Sequence, residues 1–173
     1  MSIGSAGSMW KRSDTDGVPT WTTGSPRPAT RASVVFRAGV ADETPETRGW
    51  LAASRDLALA VRPPEGIRVR GVVKGLHTTF TVTAVNDQLA AGLDWLQGRL
   101  TRPDLDLLDR VLAVRAESAQ QPSLFGQLLR REVGAQGFGM TGFPELGLQR
   151  FDPSALRWFL QVAFTTGNMA LCY

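Results

Sequence analysis

The sequence predicts an α+β fold in which an antiparallel sheet packs against helices. Residues 77–85, HTTFTVTAV, alternate Phe80, Val82 and Ala84 with Thr79, Thr81 and Thr83, the period of two of a half-buried strand. Further on, Leu89, Leu93, Leu96 and Leu100 share one helical stripe, and Leu105, Leu108, Leu112 and Ala116 share another. The segments run strands, helix, strands, helices, strand. That order lacks the regular β–α alternation of a parallel sheet.

Each element has its own signals. Residues 1–16 are small and polar and read as a disordered tail. GVPTWTTG (17–24) is a short extended run, SPRP (25–28) a turn, and ASVVFRAGV (32–40) a strand. ADETPETRG then introduces a helix, with Thr44 as cap, Pro45 at the first position and Glu46 at the positive end of the dipole. RPPEG stops that helix near Val61. IRVRGVV (67–73) and the strand at 77–85 are joined by KGL, as in a hairpin. Asn86 caps the next helix, and Thr101–Asp104 resembles a capping box for the one after it. Pro122 opens a helix with Leu124, Leu128 and Leu129. A glycine-rich loop follows, and Asp152-Pro153 opens a last helix bearing Leu156, Phe159, Leu160 and Phe164. NMALCY is a final strand.

Composition narrows the function classes. The chain has 173 residues, enough for one domain with a true core, and its charged fraction of 20% is that of an ordinary soluble protein. No run reaches the ~20 apolar residues of a membrane helix, and the first residues lack the apolar segment of a secretory signal. Net charge is +3, but the arginines are scattered without a block of interleaved aromatics, which argues against nucleic-acid binding. The single cysteine, Cys172, excludes an internal disulfide, and a cytoplasmic protein fits.

Four local signals invite a functional reading, and each has a plainer one. Gly137–Gly142 matches G-x-G-x-x-G, but it follows a helix, whereas a dinucleotide site needs a strand before it. A flexible loop is the expectation. His77 is the only histidine and has no companion ligands, so a structural role is expected. Ser54 has Arg55 and Asp56 beside it in sequence, but such near neighbours on a helix do not face each other, so no nucleophile–base pair is expected. Trp50, Trp95, Trp158, Phe125, Phe159 and Phe164 sit among leucines at helical spacing, which suggests core packing.

A longer pattern emerges when the blocks are taken together. ASVVFRAGVADETPETRGWLAASRDLALA resembles the segment of the insulinase (pitrilysin-like) zinc metallopeptidases that runs strand, G-x-x-x-E, glycine, zinc helix. HTTFTVTAVNDQLAAGLDWLQGRL resembles that family's next strand and helix, and LLDRVLAVRAESAQQPSLFGQLLRRE the two helices after it. GFGMTGFPELGLQRFDPSALRWFLQVAFTTGNMAL is similar to its loop, T-P-E-D-L helix and G-N-A-V-L strand. The resemblance spans residues 17–173 and implies a truncated N-terminal peptidase domain. The link between the first helix and IRVRGVV looks a helix short.

The family's inverted zinc motif is H-x-x-E-H: two histidines four residues apart hold the metal, and the Glu is the general base. With Gly49 and Leu57 as anchors, those positions fall on Ala52, Arg55 and Asp56. The third ligand, a Glu on a later helix, falls on Arg115, and nearby Glu117 would point about 200° away. The resemblance therefore implies a degenerate site: no catalytic residue, no metal and no cofactor, although zinc is the family's cofactor. Family members pair similar domains around a chamber, and in two-subunit kinds one subunit lacks zinc. The expected role is a pseudopeptidase that forms a heterodimer with an active insulinase-like subunit, or pairs with a second homologous domain, with peptide as the other candidate partner and no nucleic-acid or membrane partner. An exposed apolar face on the final strand would suit that role. The alternatives are an active zinc metalloendopeptidase with ligands elsewhere, or a gene fragment without function.

Overall fold

The computed structural model describes residues 10–23, 30–85, 87–117, 124–150 and 152–173. The SPRP turn, the Asn86 cap and the Pro122 helix start lie outside the described residues. The elements are β1 (Trp10–Thr15), β2 (Val18–Thr23), β3 (Arg31–Phe36), α1 (Trp50–Leu59), β4 (Ile67–Val73), β5 (Thr78–Ala84), α2 (Leu89–Thr101), α3 (Leu108–Glu117), α4 (Leu124–Val133), α5 (Pro153–Ala163) and β6 (Met169–Cys172). α1 connects to β4 without an intervening helix, as the short link implied.

The strands form one sheet in the order β1-β2-β6-β3-β5-β4. Every neighbouring pair is antiparallel except β2 and β6, which run parallel. The fold is thus α+β, with one parallel pair in an otherwise antiparallel sheet. Burial alternates along β3 and β5, as expected when helices cover one face. On that face Val34, Phe36, Phe80 and Val82 meet Ala58 of α1 and Leu96 and Leu100 of α2. Phe36, Phe80 and Phe164 pack edge-on or tilted, with centroids 4.9 to 6.3 Å apart. Gly92 lets α2 lie close on the sheet: a Cβ there would sit 2.6 Å from Val82 Cγ1. A second cluster joins Leu57 of α1 to Leu108 and Val111 of α3 and to Leu156 and Leu160 of α5. α1 therefore touches both cores, which fixes what its remaining face can present.

Several expectations change. The tail expected at 1–16 contains β1, which pairs with β2 from Trp10↔Thr23 to Thr15↔Val18. The reason is the turn. Asp16 and Gly17 both take positive φ (53° and 79°), the geometry of a two-residue primed turn whose Asp-Gly pair is a strong hairpin signal. The hydroxyl of Thr101 donates to Gln97 O inside α2, so Thr101 ends that helix. Asp104 caps the short 3-10 turn before α3. The aromatic set divides: Trp50 is buried and Phe159 packs on it edge-on, whereas Phe125 and Trp158 are 69% and 64% exposed. Leu124 and Leu128 are exposed as well, so α4 turns apolar side chains outward. β6 lies inside the sheet between β2 and β3, with Met169 and Leu171 packed on the core. The final strand does not carry the exposed apolar face that was expected.

Candidate functional site

The candidate site is α1 and the segments strapped to it. The helix begins at Trp50, later than the Thr44-Pro45 signal suggests, because residues 45–49 wind as turns. Its N-terminal donors are satisfied from upstream in sequence. Leu51 N–H donates to Glu43 Oε1 at 2.9 Å, and Gly49 N–H donates to Oε2 at 3.2 Å. Arg48 Nη1 adds a third bond to Oε2 at 3.0 Å. The Glu43 side chain is fully buried. Burial raises its pKa above the ordinary carboxylate value, and the bonds from Leu51, Arg48 and Gly49 only partly offset that rise. Glu43 is the glutamate of the Gly39–Glu43 G-x-x-x-E pattern. Gly39 is required there because a Cβ would overlap the backbone of Gly75 and His77.

Residues 140–148 lie across this end of α1. Trp50 Nε1 donates to Gly147 O at 3.0 Å, Gly147 N–H to Arg48 O at 3.1 Å, and Arg48 Nε to Met140 O at 3.0 Å. The strap passes over Gly49, whose φ of +101° favours glycine, and a Cβ there would approach Glu145 Cβ to 2.8 Å. The strap thereby delivers Glu145 to the face of α1.

On that face Ala52, Arg55 and Asp56 sit together, as their spacing requires. Arg55 lies across β4, where Gly71 leaves room for its stem, and its Nε donates to Asp56 Oδ1 at 2.8 Å. Arg115 of α3 pairs with Asp56 Oδ2 and with Glu145, donating to Glu145 Oε2 from Nε at 3.0 Å. One guanidinium thus ties α1, α3 and the strap together. Burial lowers the Arg115 pKa, but bonds and charge from Glu145 and then Asp56 outweigh it, and the group is held above its ordinary value. Glu117, the last residue of α3, points into solvent.

The sequence placed Ala52, Arg55, Asp56 and Arg115 at one site, and the structure brings Arg55, Asp56 and Arg115 into contact. It adds Glu145, which carried no motif, and gives Glu43 a capping role that only its G-x-x-x-E spacing could have signalled. As a zinc site these residues do not fit. Ala52 has no donor atom, Arg55 and Arg115 are cations, and both oxygens of Asp56 are engaged by arginines. Among the described residues no group of three or more His, Cys, Asp or Glu converges on a common point.

The other signals resolve as packing. Ser54 Oγ donates to Trp50 O at 2.6 Å within α1 and is buried. His77 closes the β4–β5 turn, its carbonyl accepting from Lys74 N–H at 2.8 Å. Gly137–Gly142 is an ordered 3-10 turn and not a loose loop. A Cβ on Gly139 would overlap Gly134 O, and one on Gly142 would overlap Gly126 O of α4. Those glycines allow close backbone packing, a different task from cradling a phosphate. No helix among the described residues is long and apolar enough to cross a membrane.

Neither a family model nor a curated protein matches the sequence. Solved structures do match in fold. Pitrilysin superposes with a TM-score of 0.73 at 16% identity, over 95% of this chain and 20% of its own. A protease from Helicobacter pylori superposes with a TM-score of 0.70 at 11% identity, over 95% of this chain and 45% of its own. The chain has a pitrilysin-like fold and spans less than half the length of either structure.

Proposed function

We propose that this chain is a non-catalytic homologue of the insulinase-like metallopeptidases, acting as the partner or peptide-binding subunit of an active zinc peptidase. The observation that carries this reading is the Asp56–Arg115–Glu145 bridge. Where the family resemblance places a metal between α1 and a later helix, this chain has an arginine joining two carboxylates. A guanidinium can cross-link the same elements, but it cannot polarise a carbonyl as a Lewis acid or lower the pKa of a bound water. Arg55, at the general-base position, is a fixed cation and cannot take a proton from water. The scaffold is kept while the groups that would cut are replaced. Peptide binding is supported by the position of β4 at the sheet edge beside α1.

The test is metal analysis of the purified chain together with a fluorogenic peptide assay, with and without chelator, and again after mixing with an insulinase-like chain that has an intact H-x-x-E-H. The chain alone is expected to hold no stoichiometric zinc and to cleave nothing. The mixture is expected to co-elute and to exceed the activity of the second chain alone. Stoichiometric zinc with chelator-sensitive cleavage by the chain alone would establish the alternative, an active metallopeptidase with ligands elsewhere.

A further inference from the structure

The edge of the sheet on which that peptide-binding reading rests has a chemistry of its own. Among the described residues β4 pairs only with β5, and none of them covers its other side as a strand. In an antiparallel ladder the backbone groups of successive residues point alternately toward the partner and away. Lys74 N–H reaches His77 O across the hairpin, while Ile67 N–H turns back to Pro64 O. The alternation therefore directs the N–H and C=O groups of Val69, Gly71 and Val73 outward, where a further strand could pair.

The side chains above this edge are cationic. Arg68, Arg70 and Val72 point together to the face opposite the core, and all three are exposed. Arg31 joins them through the row Arg31↔Thr83↔Arg68. Arg62 stands at the rim of a concavity of about 960 Å³ floored by β4 and β5, and among its described lining residues Glu65 is the one acid. Arg31, Arg62, Arg68 and Arg70 have no carboxylate partner among the described residues. Every ion pair among those residues lies instead around α1.

We propose that the β4 edge takes an acidic extended peptide, added antiparallel to β4 and reading apolar-x-acidic-x-acidic opposite Val72, Arg70 and Arg68. In an added strand, side chains on one face recur every second residue, ~6.6–6.8 Å apart, which matches the spacing of Arg68, Arg70 and Val72. Carboxylates directly opposite the two arginines form cross-strand pairs, and an aliphatic residue meets Val72. The same charges repel the β4 edge of a second copy, so the edge selects a partner of opposite sign over itself.

The experiment measures fluorescence anisotropy of the labelled heptapeptide Thr-Val-Thr-Glu-Thr-Glu-Thr on the full chain. It is repeated with a version carrying Lys for Glu, with one N-methylated at the pairing positions, and with the double variant R68E/R70E, whose folding is checked by circular dichroism. The glutamate peptide is expected to bind at least about tenfold more tightly than the lysine peptide. N-methylation is expected to abolish binding, R68E/R70E to reverse the preference, and 0.5 M salt to narrow it. Equal binding of both peptides would overturn the acidic class and leave the peptide-binding reading standing. No binding of any peptide would overturn both. Binding indifferent to N-methylation, or matched by a single-stranded oligonucleotide, would show a merely charged surface and overturn the proposed strand addition.

Discussion

Two ionic clusters lie along the same ten-residue helix, and they are built on opposite principles. At its N-terminus, Glu43 has a fully buried side chain and spends two of its bonds on backbone N–H groups. Along its exposed face, Asp56, Arg115 and Glu145 bond side chain to side chain, with the carboxylates 30% and 29% exposed. The first cluster completes a helix end that nothing else would satisfy. The second ties α1 to α3 and to the strap across it. Burial decides which of them the fold depends on, because a desolvated group left without its partner cannot turn to water.

The sharpest way to break that contrast is Glu43→Ala. It strips Gly49 and Leu51 of their acceptor and leaves the Arg48 guanidinium nearly buried with its charge unpaired. The expected loss is about 3–5 kcal/mol of unfolding free energy, the range for removing one partner of a buried, hydrogen-bonded charge. It is measured by urea denaturation. A loss no larger than that of an exposed substitution, under ~0.5 kcal/mol, would put Glu43 in the same class as the surface cluster.

A subtler test uses Glu43→Gln across pH. The folded-state pKa of Glu43 is raised, so the native state holds its proton more tightly than the unfolded chain does. Its contribution is therefore full below the unfolded value of about 4.5 and is lost as pH rises through the folded value. The advantage of the natural protein over Glu43→Gln should be larger at pH 4 than at pH 7, by urea titration at each pH. Taking the difference matters because Glu46 works in the opposite sense: its bond from Thr44 lowers its pKa, and its contribution is lost as pH falls. An advantage that grows with pH would mean that the three bonds to Glu43 outweigh its desolvation.

The two clusters were unequally legible in the sequence. Arg55, Asp56 and Arg115 could be brought to one place because helix periodicity and a family pattern are both local regularities. Glu145 could not, since it reaches the site only because a strap of 3-10 turns crosses Gly49, and nothing in PELG announces where that segment packs. The start of α1 was misplaced for a related reason. Thr44, Pro45 and Glu46 are good local capping residues, but the buried Glu43 bonds to Gly49 and Leu51 and fixes the helix start at Trp50. Propensity signals were overridden by one tertiary bond network, as they are whenever burial raises the stakes. The leucine and β-alternation stripes fared better because they encode burial itself: Leu96, Leu100, Phe80 and Val82 are all core. The stripe on α4 did not, because Leu124 and Leu128 remain exposed.

Arg115→Met gives the smallest of the expected effects and the clearest reading of the second cluster. It leaves Asp56 and Glu145 without their shared cation. Both are partly solvated, and Asp56 keeps Arg55, so water can recover much of what is lost. The expected cost is about 1 kcal/mol in low salt, falling toward zero at 0.5 M as screening weakens both the lost attraction and the repulsion between the carboxylates. The Glu43→Ala loss should stay nearly constant over the same range, because screening barely reaches a buried pair. If the two variants responded to salt alike, the division between a buried cap and a solvated bridge would fail. If Arg115→Met cost as much as Glu43→Ala, the guanidinium would be as indispensable to this fold as a structural metal is to a fold that has one.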